Sequence, residues 1–240
     1  MSLNAGMAMG DDLVRFSADG RVGRVELNRP EQGNKVNVAT MRAFIDALQR
    51  GHDDGVDVLV LSSAGSDFSL GRDQEERPTG VSKRDNLSLI LDANALLTGF
   101  EGVTVAAVRG RALGFGCGVA TQCDITVAGD GARFGFTEIR DGFAPSIVMT
   151  YLETYVPRKV ALDLLMTGRT VSAAEALARA LVSQVVPDDQ LDAVVVATVD
   201  SLLDKPVAAL RQCKLFLREI GMVPEPDRGA AALDALTSGS

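Results

Sequence analysis

Tryptophan is absent from this chain of 240 residues, histidine occurs once and cysteine three times. With only two tyrosines and nine phenylalanines, no interleaved aromatic platform is available on which single-stranded bases could stack. Positive charge is the minority sign: 24 Lys and Arg against 32 Asp and Glu give a formal net charge of −8. That is the wrong sign for a protein that neutralises phosphates regardless of sequence, so no nucleic-acid partner is expected. The single histidine, His52, sits in Gly51-His52-Asp53-Asp54-Gly55, which reads as a helix-to-strand loop. A Ser-His-Asp or Cys-His machine would need that residue, and the class is set aside. Cys117, Cys123 and Cys213 are odd in number and sparse, the usage of reduced, buried thiols in a cytoplasmic protein rather than of a disulfide framework. A C-x5-C spacing without a nearby His is not that of zinc ligands, so no metal site is expected. Met1 to Gly10 has neither a basic n-region nor an apolar h-region and does not read as a secretory signal. The longest apolar stretches, such as Ala193 to Val199, are far too short to span a bilayer, and no membrane partner is expected.

What is present is the composition of a folded protein: 46% hydrophobic, 23% charged, with 24 glycines. This argues against disorder, collagen and coiled coil. The length suits one large domain or two small ones, at about 100–200 residues each. Leu13 to Phe16 and Arg21 to Leu27 flank Ala18-Asp19-Gly20, whose Asp-Gly pair is a hairpin signal. Val38 to Arg50 and Leu87 to Leu97 carry helical periods, whereas Val56 to Ser62, Val103 to Val108 and Ile125 to Ala128 read as buried strands. After Ile147 the chain turns helical, over Leu162 to Met166, Ala173 to Ala180, Leu191 to Leu203 and Val207 to Ile220, with one short strand at Ser183 to Val186. Strand and helix in alternation with short connections predict an α/β fold, divided into a core over 1–190 and a helical region over 191–240. The charged stretch Arg72 to Asp85 reads as a surface loop or as the rim of a pocket.

Two glycine-rich turns carry the chemistry. Gly114-Phe115-Gly116-Cys117-Gly118 follows a strand and opens a short helix, but the sixth position from Gly114 is Val119, so the dinucleotide fingerprint fails. No phosphate-binding P-loop occurs either. Small residues at such a turn let backbone N–H groups at a helix N-terminus face an oxygen, assisted by the helix dipole. Gly65 to Asp73 places a second small-residue turn after another buried strand, and Phe134 to Ile139 sets Glu138 in an apolar stretch. Burial raises a carboxyl pKa and makes it a general base near neutral pH. Two N–H donors and one base are the kit for abstracting a proton beside a thioester carbonyl.

Taken together, these segments resemble the enoyl-CoA hydratase/isomerase (crotonase) superfamily over nearly the whole chain. Asn28-Arg29-Pro30 with Asn34 is similar to its N-R-P-x-x-x-N stretch, and Phe68-Ser69-x-Gly71-x-Asp73 to its F-[SC]-x-G-x-D turn. The block from Val105 through Gly114-x-Gly116-Cys117 to Cys123-Asp124 resembles its central motif; Phe134-Gly135, Glu138-Ile139, Gly142 and Pro145 resemble the motif that follows. The resemblance implies a ββα spiral core with C-terminal helices that trimerise, giving a homotrimer or a dimer of trimers. It also implies an acyl-CoA substrate, with coenzyme A entering as part of the substrate and no separate cofactor. An oxyanion hole on the backbone N–H groups of Arg72 and Phe115 is implied too. Substrate or CoA contacts are expected among Arg29, Lys35, Ser69, Gly71, Gly114, Gly118 and Asp141, with surface charge as the plain alternative for Arg29 and Lys35.

One departure bears on the reaction. Where hydratases of this superfamily carry a Glu, this chain has Gly118; the second carboxylate is present as Glu138. Water addition by two carboxylates would then need a neighbour such as Asp141. A shift of the double bond from Δ3 to Δ2 needs only one base, shielded by Ile147, Val148 and Met149. The expectation is therefore an enoyl-CoA isomerase using Glu138, with hydratase as the alternative and a non-catalytic acyl-CoA-binding protein as the alternative of another class. An ion pair of Glu138 with Arg133 or Arg140 would be its purely structural use.

Overall fold

The computed structural model describes residues 13–237. The Met1–Gly10 stretch read for a secretory signal lies outside the described residues. Six strands form the main sheet: β1 (Val14–Asp19), β2 (Val22–Leu27), β3 (Val58–Ser63), β4 (Val103–Val108), β6 (Ile125–Gly129) and β9 (Gln184–Val186), in that spatial order. Only the β1–β2 hairpin is antiparallel, and its turn uses Gly20 at φ 56°. The remaining pairs run parallel, from β2–β3 to β6–β9. Strands of a parallel sheet are covered on both faces and so read as continuous apolar runs. Here the alternation sorts them into two cores. Leu59, Leu61, Ala106 and Val108 face the larger core, with Met41, Phe44 and Leu48 of helix α1 (Val38–Asp53). Val58, Val60, Val103, Val105 and Ala107 face the other.

That second core is closed by the helix over Leu191–Leu203, whose Leu191, Val195 and Val199 are buried on the sheet of their own chain. The apolar stripe that could have served a neighbouring subunit is therefore internal packing in this helix. The next helix, Val207–Ile220, buries none of its residues, and Cys213 on it is exposed. This corrects the expectation of three buried thiols. Cys117 and Cys123 are buried, and burial pushes the Cys117 thiol up to about 12.

Two further differences have physical causes. His52 lies in the last turn of α1, where Nε2 stands 2.9 Å from Leu96 O and the ring meets Phe100 edge-on. Gly51 does not end the helix; it lets the helix approach Leu59, whose Cδ1 would lie 3.1 Å from an added Cβ. A second, three-stranded sheet joins β5 (Arg111–Leu113), β7 (Arg133–Gly135) and β8 (Val171–Ser172). Strands of two or three residues are too short to show a period.

Candidate active site

The small sheet draws the two glycine-rich turns together. Asn34, buried and held at φ 52°, donates from Nδ2 to Ala64 O and Asp67 O, both at 2.8 Å, while its Oδ1 accepts from Arg29 N at 2.7 Å. Asp67 takes a two-pronged contact from Arg111, Nε to Oδ1 at 2.8 Å and Nη2 to Oδ2 at 2.7 Å. That guanidinium holds the Asp67 carboxyl below the usual carboxylate range against a smaller opposing effect of burial. Ser69 pairs with Ala112 of β5 and donates its hydroxyl to Asn34 O at 2.8 Å. The result is that Gly71, at φ 89°, lies against the other turn: an added Cβ would stand 2.9 Å from Leu113 O and 3.5 Å from Gly114 Cα.

At this junction the backbone N–H groups of Arg72 and Phe115 have no backbone acceptor among the described residues. Val36 N donates to Gly71 O and Asp73 N to Val36 O, a parallel bridge that passes over the Arg72 N–H. Phe115 opens helix α3 (Phe115–Gln122), and the first N–H groups of a helix have no partner four residues back. Side chains point elsewhere in both cases. The Phe115 ring is buried edge-on to Phe44, with centroids 5.8 Å apart. The Arg72 guanidinium reaches Asn37 O at 3.3 Å and Asn86 Oδ1.

Glu138 begins a 3-10 turn, Glu138–Asp141, directly after β7. Its Oε1 lies 2.8 Å from the position of a Cβ on Gly114, which puts the carboxylate beside the same turn. Oε2 is buried with no hydrogen-bond partner among the described residues. Burial, with a smaller effect of the Asp141 charge, pushes the Glu138 carboxyl above its ordinary value. Among the described residues Glu138 forms no ion pair: Arg133 instead donates to Gly131 O and Ala132 O.

The remaining expected contacts divide. Gly71, Gly114 and Gly118 line the junction and the helix that leaves it. Ser69 is fully buried, and its hydroxyl serves the turn rather than facing outward. Arg29, with a side chain 13% exposed, donates to Lys35 O at 2.5 Å and stands 4.0 Å from Asp73; its guanidinium is committed to the loop that it starts. Lys35 is half-buried and Asp141 exposed. Of the expected shield, Val148 is buried, Ile147 half-buried and Met149 51% exposed, because the short helix Ser146–Met149 turns one residue inward. Tyr151, which sequence reasoning passed over, comes to Gly118 instead: a Cβ there would collide with the Tyr151 hydroxyl. Nothing in the spacing of two residues 33 positions apart signals that contact.

Comparison with known proteins agrees with this architecture. Residues 17–225 match the family model described as enoyl-CoA hydratase/isomerase. A Mycobacterium tuberculosis protein named as a probable enoyl-CoA hydratase is 34% identical over 206 residues, covering 85% of this chain and 80% of that one. The solved enoyl-CoA hydratase of Mycobacterium smegmatis superposes with a TM-score of 0.87 at 28% identity, covering 94% of this chain and 90% of that one. A Thermobifida fusca protein solved in complex with CoA gives a TM-score of 0.85 at 28% identity, over 95% and 92% of the two chains. The chain belongs to the enoyl-CoA hydratase/isomerase family, a crotonase-type enzyme with the α/β fold of that family and its C-terminal helices.

Proposed function

We propose that this enzyme moves the double bond of a 3-enoyl-CoA to the 2-position, with Glu138 as its single base. The observation that carries the reading is one carboxylate, its Oε2 buried and without a partner among the described residues, beside the turn that opens the helix Phe115–Gln122, which offers Gly118 and no second acid. The Arg72 and Phe115 N–H groups hold the thioester oxygen as negative charge develops on it. Glu138 takes a proton from C2, the electrons pass into a dienolate, and the carboxylic acid so formed returns the proton at C4. A carboxyl raised by burial is a stronger base than an ordinary glutamate.

Hydration is the second reading, favoured by the names of the relatives. It needs a water held from two sides, and the acid available to hold the second side, Asp141, is exposed. A binding protein without chemistry would have no use for an unpartnered carboxylate oxygen at a cost of about 1–3 kcal/mol. Lys35 is the better phosphate contact for CoA, since the Arg29 guanidinium is already engaged. The reading requires no cofactor beyond the CoA of the substrate. The exposed Leu215, Leu217 and Met222 support a trimer or a dimer of trimers through the last helices, which light scattering at micromolar concentration tests; a monomer would refute it. For the reaction, 3-hexenoyl-CoA is expected to be isomerised much faster than crotonyl-CoA is hydrated. The reverse order would establish the hydratase reading.

A further inference from the structure

Two side-chain oxygens flank the start of α3. A Cβ on Gly114, the N-cap of that helix, would stand 2.8 Å from Glu138 Oε1, and one on Gly118 would run into the Tyr151 hydroxyl. Gly118 lies in the first turn, and a turn rises about 5.4 Å, so carboxylate and phenol meet the same turn at two positions that carry no side chain. Tyr151 is fixed there by its neighbours. Leu152 is fully buried, and the Tyr155 ring meets the Tyr151 ring edge-on at 6.4 Å. Its hydrogen bonds among the described residues are backbone ones: its N–H donates to Val148 O at 3.2 Å, and its carbonyl accepts from Thr154 N at 2.9 Å and Thr154 Oγ1 at 2.6 Å. The hydroxyl is left facing the helix. Burial, followed by the charges of Cys117 and Glu138, raises the phenol pKa, so the group stays an O–H and does not compete with Glu138 as a base.

An oxygen in this place has a consequence for the reaction. Hydration breaks an O–H bond of water and forms C3–O and C2–H bonds; isomerisation uses no water at all. The Tyr151 oxygen stands against Gly118, but it is bonded to a ring carbon and cannot be transferred. We infer that Tyr151 is a specificity-determining residue whose hydroxyl fills the water position beside Gly118 and keeps the enzyme from hydrating the double bond it moves. The inference rests on the acyl-CoA reading above and adds to it the reason that the dienolate meets no water.

Tyr151→Phe tests this with little risk to folding, since the hydroxyl forms no hydrogen bond among the described residues. The change vacates about one water's volume beside a polar group. Crotonyl-CoA hydration is expected to rise about tenfold or more over wild type, equivalent to about 1.4 kcal/mol of barrier. Adding Gly118→Ala should then reverse the gain. With the hydroxyl gone, the new Cβ would meet ring Cζ at 3.7 Å and Gln122 Nε2 at 4.0 Å, ordinary contacts, and the methyl refills the space. Unchanged hydration in Tyr151→Phe, at wild-type acyl-CoA affinity and melting temperature, overturns the inference. So does a fall, which would make the hydroxyl a participant in hydration. Failure of the isomerase reading shows separately, as a wild-type enzyme that does not isomerise 3-hexenoyl-CoA; the ratio of hydration rates between Tyr151→Phe and wild type still decides what the hydroxyl does.

Discussion

The two turns that make the site are built in opposite ways. The turn over Gly65–Asp73 is held by side chains that never face the reaction: Asn34 spans Ala64 and Asp67, Asp67 grips Arg111, and Ser69 ties back to Asn34. The turn over Gly114–Gly118 works through missing side chains, which leave room for Glu138 at one end and Tyr151 at the other. In the proposed reaction each turn contributes one N–H donor, that of Arg72 or of Phe115. The lesson is that a backbone donor can be positioned either by polar wiring behind it or by emptiness in front of it. The first kind of turn breaks when a side chain is removed, the second when one is added.

The sharpest way to break the comparison is at the donors themselves. Proline at position 72 or 115 removes the N–H, and loss of one such donor costs about 10²–10³-fold in rate. Arg72→Ala and Phe115→Gly should keep substantial turnover, because the side chains point away; equal damage from Arg72→Ala and Arg72→Pro, measured as kcat on 3-hexenoyl-CoA, would contradict the assignment. A step smaller is Gly114→Ala. Its Cβ would press on Glu138 Oε1 at 2.8 Å, from a backbone at φ 52°. Misplacing a catalytic group by about 1 Å can cost up to about 10²-fold, so activity should drop tens-fold while the fold survives.

On the other turn, Asn34→Ala strips three hydrogen bonds from a buried, left-handed position. A loss of about 2–3 kcal/mol is expected from the unpaired groups left behind, read as a lower denaturation midpoint with unchanged slope. The smallest effect has the opposite sign. A carboxyl whose folded pKa is raised contributes its stability at low pH and loses it as pH rises through the folded value. Glu138→Gln should therefore stabilise the protein at pH 7, read as a higher melting temperature, and the gain should vanish below the ordinary glutamate pKa. A destabilised Glu138→Gln at pH 7 would mean that the carboxylate has a partner.

Sequence reasoning reached the parts of this molecule whose signals are local. The hairpin, the buried strands and the helices over Leu191–Leu203 and Val207–Ile220 follow from alternation and helical period, and Glu138 stood out as a lone acid among apolar residues. Contacts between distant segments were out of reach. The second sheet rests on strands too short for any period. The commitments of Arg29 and Ser69 to the loop, and the meeting of Tyr151 with Gly118, depend on how elements stack. Cys213 was expected inside because a sparse, odd set of cysteines reads as buried thiols, yet its helix buries nothing within its own chain.

The central claim is that one carboxylate carries the chemistry. It is tested most directly by the rate of 3-hexenoyl-CoA isomerisation in Glu138→Gln, with acyl-CoA affinity measured alongside. A general base is worth about 10²–10⁴-fold, so the account predicts a loss of that size with binding nearly unchanged. Isomerisation that survives Glu138→Gln within a few-fold of wild type would contradict it.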